Sequence, residues 1–296
     1  MATQLTAEQS DLLAWGERVR RDLPWRATRD PWAILLAEVM AQQTQVDRVV
    51  PRWLAFLDRW PTATDFASSP LAEVLDAWAG LGYPRRARNL WLTAQQVRDE
   101  HGGRVPSELA ALLALPGIGP YTARAVLAFA HELDAAVVDT NVGRVLARRA
   151  GTRLSPVGAQ AAADDWLPRG EAWAWNQTLL DLGAMVCRPL APACEGCPIR
   201  DGCAWFGAGR PDPDPAAGSA GVSRPQARFA GSLRQLRGLL LDAARQGPVA
   251  PDRRAELAAR THGDAAAEAV ERAVGSLLAD GLAQLDPEDC LRLPSS

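Results

Sequence analysis

The 296-residue chain contains no lysine: all 32 basic residues are arginine, so no side-chain amine is available for Schiff-base chemistry. Histidine is nearly as scarce, and His101, His131 and His262 share no metal-ligand spacing, which assigns them structural or surface roles. No apolar run reaches the roughly 18 residues that cross a bilayer. The opening residues, MATQLTAEQSDLLAWGERVRR, have neither a basic start nor a continuous apolar stretch. A cytoplasmic protein with no membrane partner is expected. A disulfide framework is also missing, because Cys187, Cys194, Cys197 and Cys203 fall within 17 residues while Cys290 stands alone. Clustering of this kind points to a metal site. Nor does charge of one sign dominate: the net charge is −3, with 22 Arg against 23 acids up to position 210 and 10 against 12 beyond it. Any nucleic-acid surface must therefore be local.

What is present suits folded domains, with 48% hydrophobic and 23% charged residues. From Thr6 to about Ala204 the pattern is one of successive amphipathic helices with short Pro/Gly connections and no period-two strand, so this region is expected to be mainly α. One helix carries Trp32, Leu35, Leu36, Val39 and Met40 on an apolar face beside a polar stripe of Glu38, Gln42 and Gln45. Residues 207–228, rich in Pro, Gly, Ala and Ser without periodicity, are expected to form a flexible linker. They separate region 1–206 from a unit at 229–296. In that unit, helices around Leu233–Ala243, Pro251–Arg260 and Val270–Leu278 precede a hairpin about Asp286-Pro287-Glu288-Asp289, the order of a winged helix. The third helix has Arg272 alone against Asp264, Glu268, Glu271 and Asp280, which favours packing or protein contact over DNA reading.

Three constellations carry chemistry. Cys187-x6-Cys194-x2-Cys197-x5-Cys203 places four thiols in one Pro-restricted loop, 187–203. Four sulfurs suit zinc or a [4Fe–4S] cluster, and the uneven 6-2-5 spacing favours the larger cuboid over the paired knuckles of zinc; its default role is structural. Leu115-Pro116-Gly117-Ile118-Gly119, between an apolar helix from Ser107 and another opening at Tyr121, reads as a helix–hairpin–helix over 107–130. Gly117 and Gly119 let the backbone approach a phosphate at a helix N-terminus, although an ordinary αα-turn can share this pattern. Arg85, Arg86 and Arg88, with Arg144, Arg148 and Arg149, are candidate phosphate contacts. Finally, Glu38 lies on a largely apolar helix, while Asp139 follows the buried-looking Ala135–Val138 run and precedes a helix start. Burial raises a carboxyl pKa and helix N–H groups lower it, so such a pair could split into acid and anion, as glycosidic cleavage requires. A flank residue and a plain N-cap are the simpler assignments.

Together these residues resemble the endonuclease III superfamily of DNA glycosylases and, within it, the MutY-type adenine DNA glycosylases. The matching stretches are Leu23-Pro24-Trp25-Arg26, Glu38-Val39-Met40 with Gln42 to Val46, Gly80-Leu81-Gly82-Tyr83, Leu115 to Gly119, Val138 to Val142, Asn176-Gln177 with Asp181 to Cys187, and the cysteine loop. They cover about residues 10 to 206 in order. The resemblance implies a two-lobed helical fold and a monofunctional enzyme that excises adenine opposite 8-oxoguanine or guanine in double-stranded DNA. It implies a monomer at the nucleoid. Glu38 would protonate the flipped adenine, Asp139 would stabilise the sugar cation, and Tyr121 and Asn141 would assist. Trp25, Arg26 and Gln177 would line the adenine pocket; Gln43 and Tyr83 would wedge into the duplex; Gly117, Gly119, Arg86 and Arg144 would meet the DNA backbone. Cys187, Cys194, Cys197 and Cys203 would ligate the cluster. The lyase branch has a Lys at the position of Tyr121, and this chain has none. Two positions depart from the pattern: Ala41 replaces the family's Leu, and Pro84 replaces a second Tyr. The family's Nudix-like domain, which inspects the opposite base, needs more than the 68 residues that follow position 228. A thymine glycosylase acting on T·G mismatches, or a non-catalytic iron–sulfur DNA-binding module, are the competing readings.

Overall fold

The computed structural model describes residues 4–219 and 228–294. In chain order its helices are α1 (Ala7–Val19), α2 (Pro31–Ala41), α3 (Val46–Arg59), α4 (Ala63–Ser68), α5 (Leu71–Ala77), α6 (Arg85–Glu100), α7 (Leu109–Ala114), α8 (Pro120–Phe129) and α9 (Thr140–Ala150). These are followed by α10 (Pro156–Trp166), α11 (Ala172–Met185), α12 (Ala204–Gly207), α13 (Leu233–Gln246), α14 (Pro251–His262) and α15 (Ala266–Ala279). A two-stranded antiparallel hairpin, β1 (Gln284–Leu285) and β2 (Leu291–Arg292), closes the chain. The mainly helical expectation holds.

The chain divides into two compact units that do not follow linear order. One takes the described residues up to 35 with 106–114 and 118–219; the other takes 36–105, 115–117 and 228–294. The first is built around α1, α9 and α11, whose Leu12, Val142, Val145, Leu146, Trp175, Leu179 and Leu182 form one apolar cluster with Trp166 edge-on to Trp175. α1 begins in a capping box, Thr6 with Gln9, which satisfies donors at its N-terminus. α9 begins at Asp139 and stops at Gly151, whose φ of +66° ends the helix in the left-handed region.

In the second unit, Phe56, Trp60, Phe66 and Trp78 pack together between α3, α4 and the end of α5, with centroids 5.0–6.1 Å apart and three of the four ring pairs edge-to-face. The C-terminal segment has the expected three helices and hairpin: Gln284 pairs with Arg292 and Leu285 with Leu291, and Val249 bridges Leu291 from the other side. Leu236, Leu240, Leu257, Leu277 and Leu291 form its interior.

Three expectations need correction. The described part of the expected C-terminal unit, 229–294, is not set apart, because it clusters with 36–105; Arg245 Nη2, for example, donates to the Leu75 carbonyl at 3.1 Å. Residues 207–219 are not a free linker. Arg148 ion-pairs with Asp214 at 2.6 Å, and Ser219 Oγ accepts from Leu154 N–H at 3.1 Å; the remaining linker residues 220–227 lie outside the described residues. The polar stripe of α2 does not exist either. Every residue from Trp32 to Met40 is buried and the helix ends at Ala41, so Gln42 and Gln45 lie beyond it and Glu38 is enclosed rather than flanking.

Candidate active site and cysteine centre

Glu38 sits in α2 at 7% exposure within an otherwise apolar run. Its helix ends against Arg86, whose Nη1 donates to the Val39 and Met40 carbonyls at 2.8 and 2.9 Å, serving acceptors that a helix C-terminus leaves open. The same guanidinium donates through Nη2 to Leu81 O, Gly82 O and Thr44 Oγ1. It thereby ties the end of α2 to the Gly80–Tyr83 turn. Burial lowers the Arg86 pKa to about 10, with Tyr83 opposing the shift. Gln43 and Tyr83, both expected to wedge into DNA, adopt left-handed backbone with φ of 55° and 47°, a conformation strained for residues with a Cβ. They line one cavity of about 240 Å³ with Gln42, Arg85, Arg86 and Asn89.

Asp139, Asn141 and Tyr121 belong to the other unit. Asp139 is the N-cap of α9: its Oδ1 accepts from the N–H groups of Asn141 and Val142 at 2.8 and 2.7 Å, and its Oδ2 accepts from Asn141 Nδ2 at 2.9 Å. Burial pushes its carboxyl above the ordinary range, and the hydrogen bonds from Val142 and Asn141 pull against that shift. The buried approach to it, Ala135–Val137, is held by Asn176, which accepts from Val137 N–H at 2.8 Å and donates to Ala135 O at 2.9 Å. Tyr121 lies half-buried in the first turn of α8.

The four clustered cysteines line one cavity of about 30 Å³ with Val145, Arg148, Ile199 and Trp205, and none is in a disulfide. Among the described residues no group of three or more His, Cys, Asp and Glu side chains stands in metal-binding geometry. Four thiols lining one space are a donor set that suits either zinc or an iron–sulfur cluster. Burial raises the thiols of Cys187 and Cys203, and that of Cys197 to about 11, so ligation would release protons. Arg148, 2% exposed, braces the loop: it donates to Cys187 Sγ at 3.4 Å and to the carbonyls of Arg188 and Pro189.

In the same unit Arg26 grips Asp181 with two parallel hydrogen bonds of 2.7 and 2.9 Å, and Arg21 adds a third at 2.5 Å. Trp25 and Gln177 are buried near Arg26 and Asp181 in sequence. At the hairpin, Gly117 has φ +75°, and a Cβ there would run into the Asn89 side chain, which explains why glycine is needed; Thr93 Oγ1 donates to the Pro116 carbonyl at 2.8 Å. Gly119 is the N-cap of α8, with no side-chain cap over the helix N–H groups.

Several expected phosphate contacts do not fit this geometry. Arg144 is 5% exposed, and all three guanidinium nitrogens donate internally, to Cys187 O, Thr140 O, Asn141 Oδ1 and Gly183 O. Arg86 and Arg148 are spent as described, and Arg149 pairs with Glu8. Interior carbonyls claimed Arg86, Arg144 and Arg148 because the ends of α2 and α11 and the cysteine loop leave acceptors open. Arg85 keeps 69% side-chain exposure, facing Asp280 at 3.8 Å. Pattern reasoning left Asn176, Asp181 and Gly183 without roles. Gly183 lets α9 approach α11, since a Cβ there would collide with the Asn141 backbone; a glycine inside an apolar helix was the signal.

The sequence pattern of the HhH-GPD superfamily base excision DNA repair proteins matches residues 36–168. Adenine DNA glycosylase of Mycolicibacterium smegmatis is 44% identical over 93% of this chain and 92% of its own length. That of Mycobacterium tuberculosis is 42% identical over 96% and 93%. The human enzyme of the same name is 37% identical over 68% of this chain and 39% of its own. Among solved structures, a thermostable thymine-DNA glycosylase aligns with TM-score 0.65 and 33% identity over 67% of this chain and 94% of that one. A non-covalent endonuclease III–DNA complex aligns with TM-score 0.59 and 25% identity over 70% and 99%. This chain belongs to the adenine DNA glycosylase family of the HhH-GPD superfamily.

Proposed function

We infer that the chain is a monofunctional DNA glycosylase of base excision repair that removes adenine mispaired with 8-oxoguanine or guanine, working as a monomer on double-stranded DNA in the cytoplasm. The observation that carries this reading is Asp139. A carboxylate fixed by three hydrogen bonds at a helix start, in a chain with no lysine, suits stabilisation of a sugar cation and not amine attack.

The target adenine must leave the base stack before it can react. Glu38, enclosed in α2, donates its proton to adenine N7. The C1′–N9 bond then breaks, and its electron pair departs with the base. Asp139, with Asn141 and Tyr121 beside it, faces the resulting positive sugar. Water adds to C1′ and gives its proton to the Glu38 carboxylate, which restores the acid and leaves free adenine and an abasic site in an unbroken strand. Trp25, Arg26 and Gln177 form the adenine pocket, where the Asp181 clamp gives Arg26 a fixed orientation. Gln43 and Tyr83 fill the duplex where the base departs, and the Gly117–Gly119 turn with the start of α8 offers N–H groups to a phosphate. Cys187, Cys194, Cys197 and Cys203 would hold a [4Fe–4S] cluster, which when bound supplies the cross-links that order their loop.

Thymine excision from T·G mispairs is the second reading, favoured by the likeness to the thymine-DNA glycosylase structure. The adenine glycosylases match at higher identity and across the C-terminal segment as well. Duplexes carrying A·8-oxoG, A·G, T·G or thymine glycol, incubated with protein and then treated with alkali, test both. Cleavage at the adenine strand alone is expected. Cleavage at thymine instead, or none, overturns the assignment.

A further inference from the structure

The Gly80–Tyr83 turn is held from two directions within the second unit. Its backbone is secured locally: Trp78 Nε1 donates to the Gly82 carbonyl at 3.0 Å, and Arg86 donates to Leu81 O and Gly82 O at 3.1 Å each. Its tyrosine side chain is reached from far along the chain. Arg234, in the first turn of α13, donates from Nη1 to the Tyr83 hydroxyl at 3.0 Å, across 151 positions of sequence. On the other side, the Arg86 guanidinium lies 5.6 Å from the Tyr83 ring centroid.

Arg234 itself stands on a fastened helix. Ser232 caps α13 by accepting from Gln235 N–H. Arg237, one turn on, binds Ser276 and, at 2.5 Å, Asp280; Asp280 also faces Arg85 at 3.8 Å. At the far end of α13, Arg245 donates to the Leu75 carbonyl. The helix is thus tied at both ends to the elements that flank the turn, and a side chain it extends has a defined origin.

We propose that Arg234 is a positioning residue for Tyr83: the C-terminal segment fixes the ring at the wall of the cavity formed with Gln42, Gln43 and Asn89, ready to enter the base stack. This rests on the reading of Tyr83 as a duplex wedge. A tyrosine that must enter a stack loses side-chain freedom when it does so, and a hydrogen bond that has already set the ring removes part of that cost before DNA arrives. It also gives the C-terminal segment a task that its acidic α15 does not contradict, since the segment acts through Tyr83 and need not read bases.

The test compares R234A, R234K, Y83F and the double variant R234A/Y83F, with R272A as control because Arg272 is exposed and its ion pair is with Glu268 on its own helix. Single-turnover excision from an A·8-oxoG duplex is measured, together with the fluorescence of 2-aminopurine placed beside the mispair. R234A and Y83F are each expected to slow excision about tenfold, the size of one hydrogen bond, with the fluorescence rise on binding reduced in parallel. The double variant is expected to be no slower than either single one, because both changes remove the same contact. R234K, which keeps a donor, recovers part of the loss, and R272A matches wild type. Losses that multiply to about a hundredfold in the double variant would overturn the proposal and make Arg234 a phosphate contact in its own right. Unchanged behaviour of R234A would overturn it too. If R234A does not fold, Y83F decides: unaltered duplex opening defeats the idea. If wild type excises no adenine, the functional reading fails and the fluorescence arm, which needs no chemistry, still judges the role of Arg234.

Discussion

The Asp139 carboxylate and the Cys187 carbonyl lie on one hydrogen-bonded chain. Asn141 Nδ2 donates to Asp139 Oδ2 at 2.9 Å, Arg144 Nη2 donates to Asn141 Oδ1 at 2.8 Å, and Arg144 Nε donates to Cys187 O at 2.6 Å. Each link fixes the next, so the direction of the carboxylate depends on where the cysteine loop stands. α9 and its N-cap supply three of the four residues, and Cys187 follows the end of α11 by two positions.

Arg144→Met should therefore slow excision well beyond any change in duplex affinity. It leaves the Cys187 and Gly183 carbonyls and Asn141 Oδ1 short of a donor in a buried site. A stability loss of about 1–3 kcal/mol is expected alongside. Denaturant melts and single-turnover rates separate the two effects. Wild-type rates in the folded variant would show that the chain does not orient Asp139.

Glu38→Gln should abolish base removal while duplex binding persists, because it deletes the acid and leaves the DNA contacts in place. Loss of general acid–base catalysis costs about 10² to 10⁴ in rate. An A·8-oxoG excision rate within tenfold of wild type would remove Glu38 from its role.

Tyr121→Lys tests the hydrolytic course of the reaction. It would put a primary amine at the start of α8, where the helix N-terminus disfavours protonation and helps release a nucleophile. Borohydride should trap a covalent protein–DNA adduct with this variant and hardly with the lysine-free wild type. Strong trapping by wild type, or none by a variant that still excises, would mean Tyr121 is not beside the sugar.

Purified protein should be yellow-brown, with about four irons per chain bound by the four loop thiols. Iron analysis and the visible absorption band read this directly. Stoichiometric zinc without iron, in protein from a native-like host, would replace the cluster with a single-ion site.

Asp181 should anchor stability in a pH-dependent way. Burial alone would raise its carboxyl pKa, but Arg26 and Arg21 outweigh burial and hold it below the ordinary value. A group depressed in the folded state stabilises the fold above its unfolded pKa of about 3.9, and that contribution is lost as pH falls through the folded value. Asp181→Asn, which leaves the buried Arg26 without its counter-charge, should cost about 3–5 kcal/mol at pH 7 and much less in strong acid. Urea melts at both pH values check this; equal losses at the two would show that charge is not the cause.

Much of this site is legible in the residues themselves. The cysteine spacing, the Pro-Gly-x-Gly hairpin and the Asp139-Thr140-Asn141 helix start are local patterns, and each depends on backbone geometry within a few residues. The C-terminal hairpin about Asp286–Asp289 was legible for the same reason: turn chemistry acts over four residues. The enclosure of Glu38 was not, because α2 is buried all round and an apolar helix with one carboxylate reads like an amphipathic helix with a polar flank.

The sequence by itself determined the lysine-free chemistry, the thiol cluster and the order of elements, since composition and short-range spacing need no partner. Tertiary structure decided the fate of the arginines. An arginine that looks like a phosphate ligand in sequence becomes an interior brace when a helix end brings open carbonyls within reach, as happened to Arg86, Arg144 and Arg148. It also decided that residues 228–294 share a unit with 36–105, through contacts such as that of Arg234 with Tyr83. Those pairings join donors and acceptors far apart in the chain, and only the folded backbone settles which buried acceptor each guanidinium must satisfy.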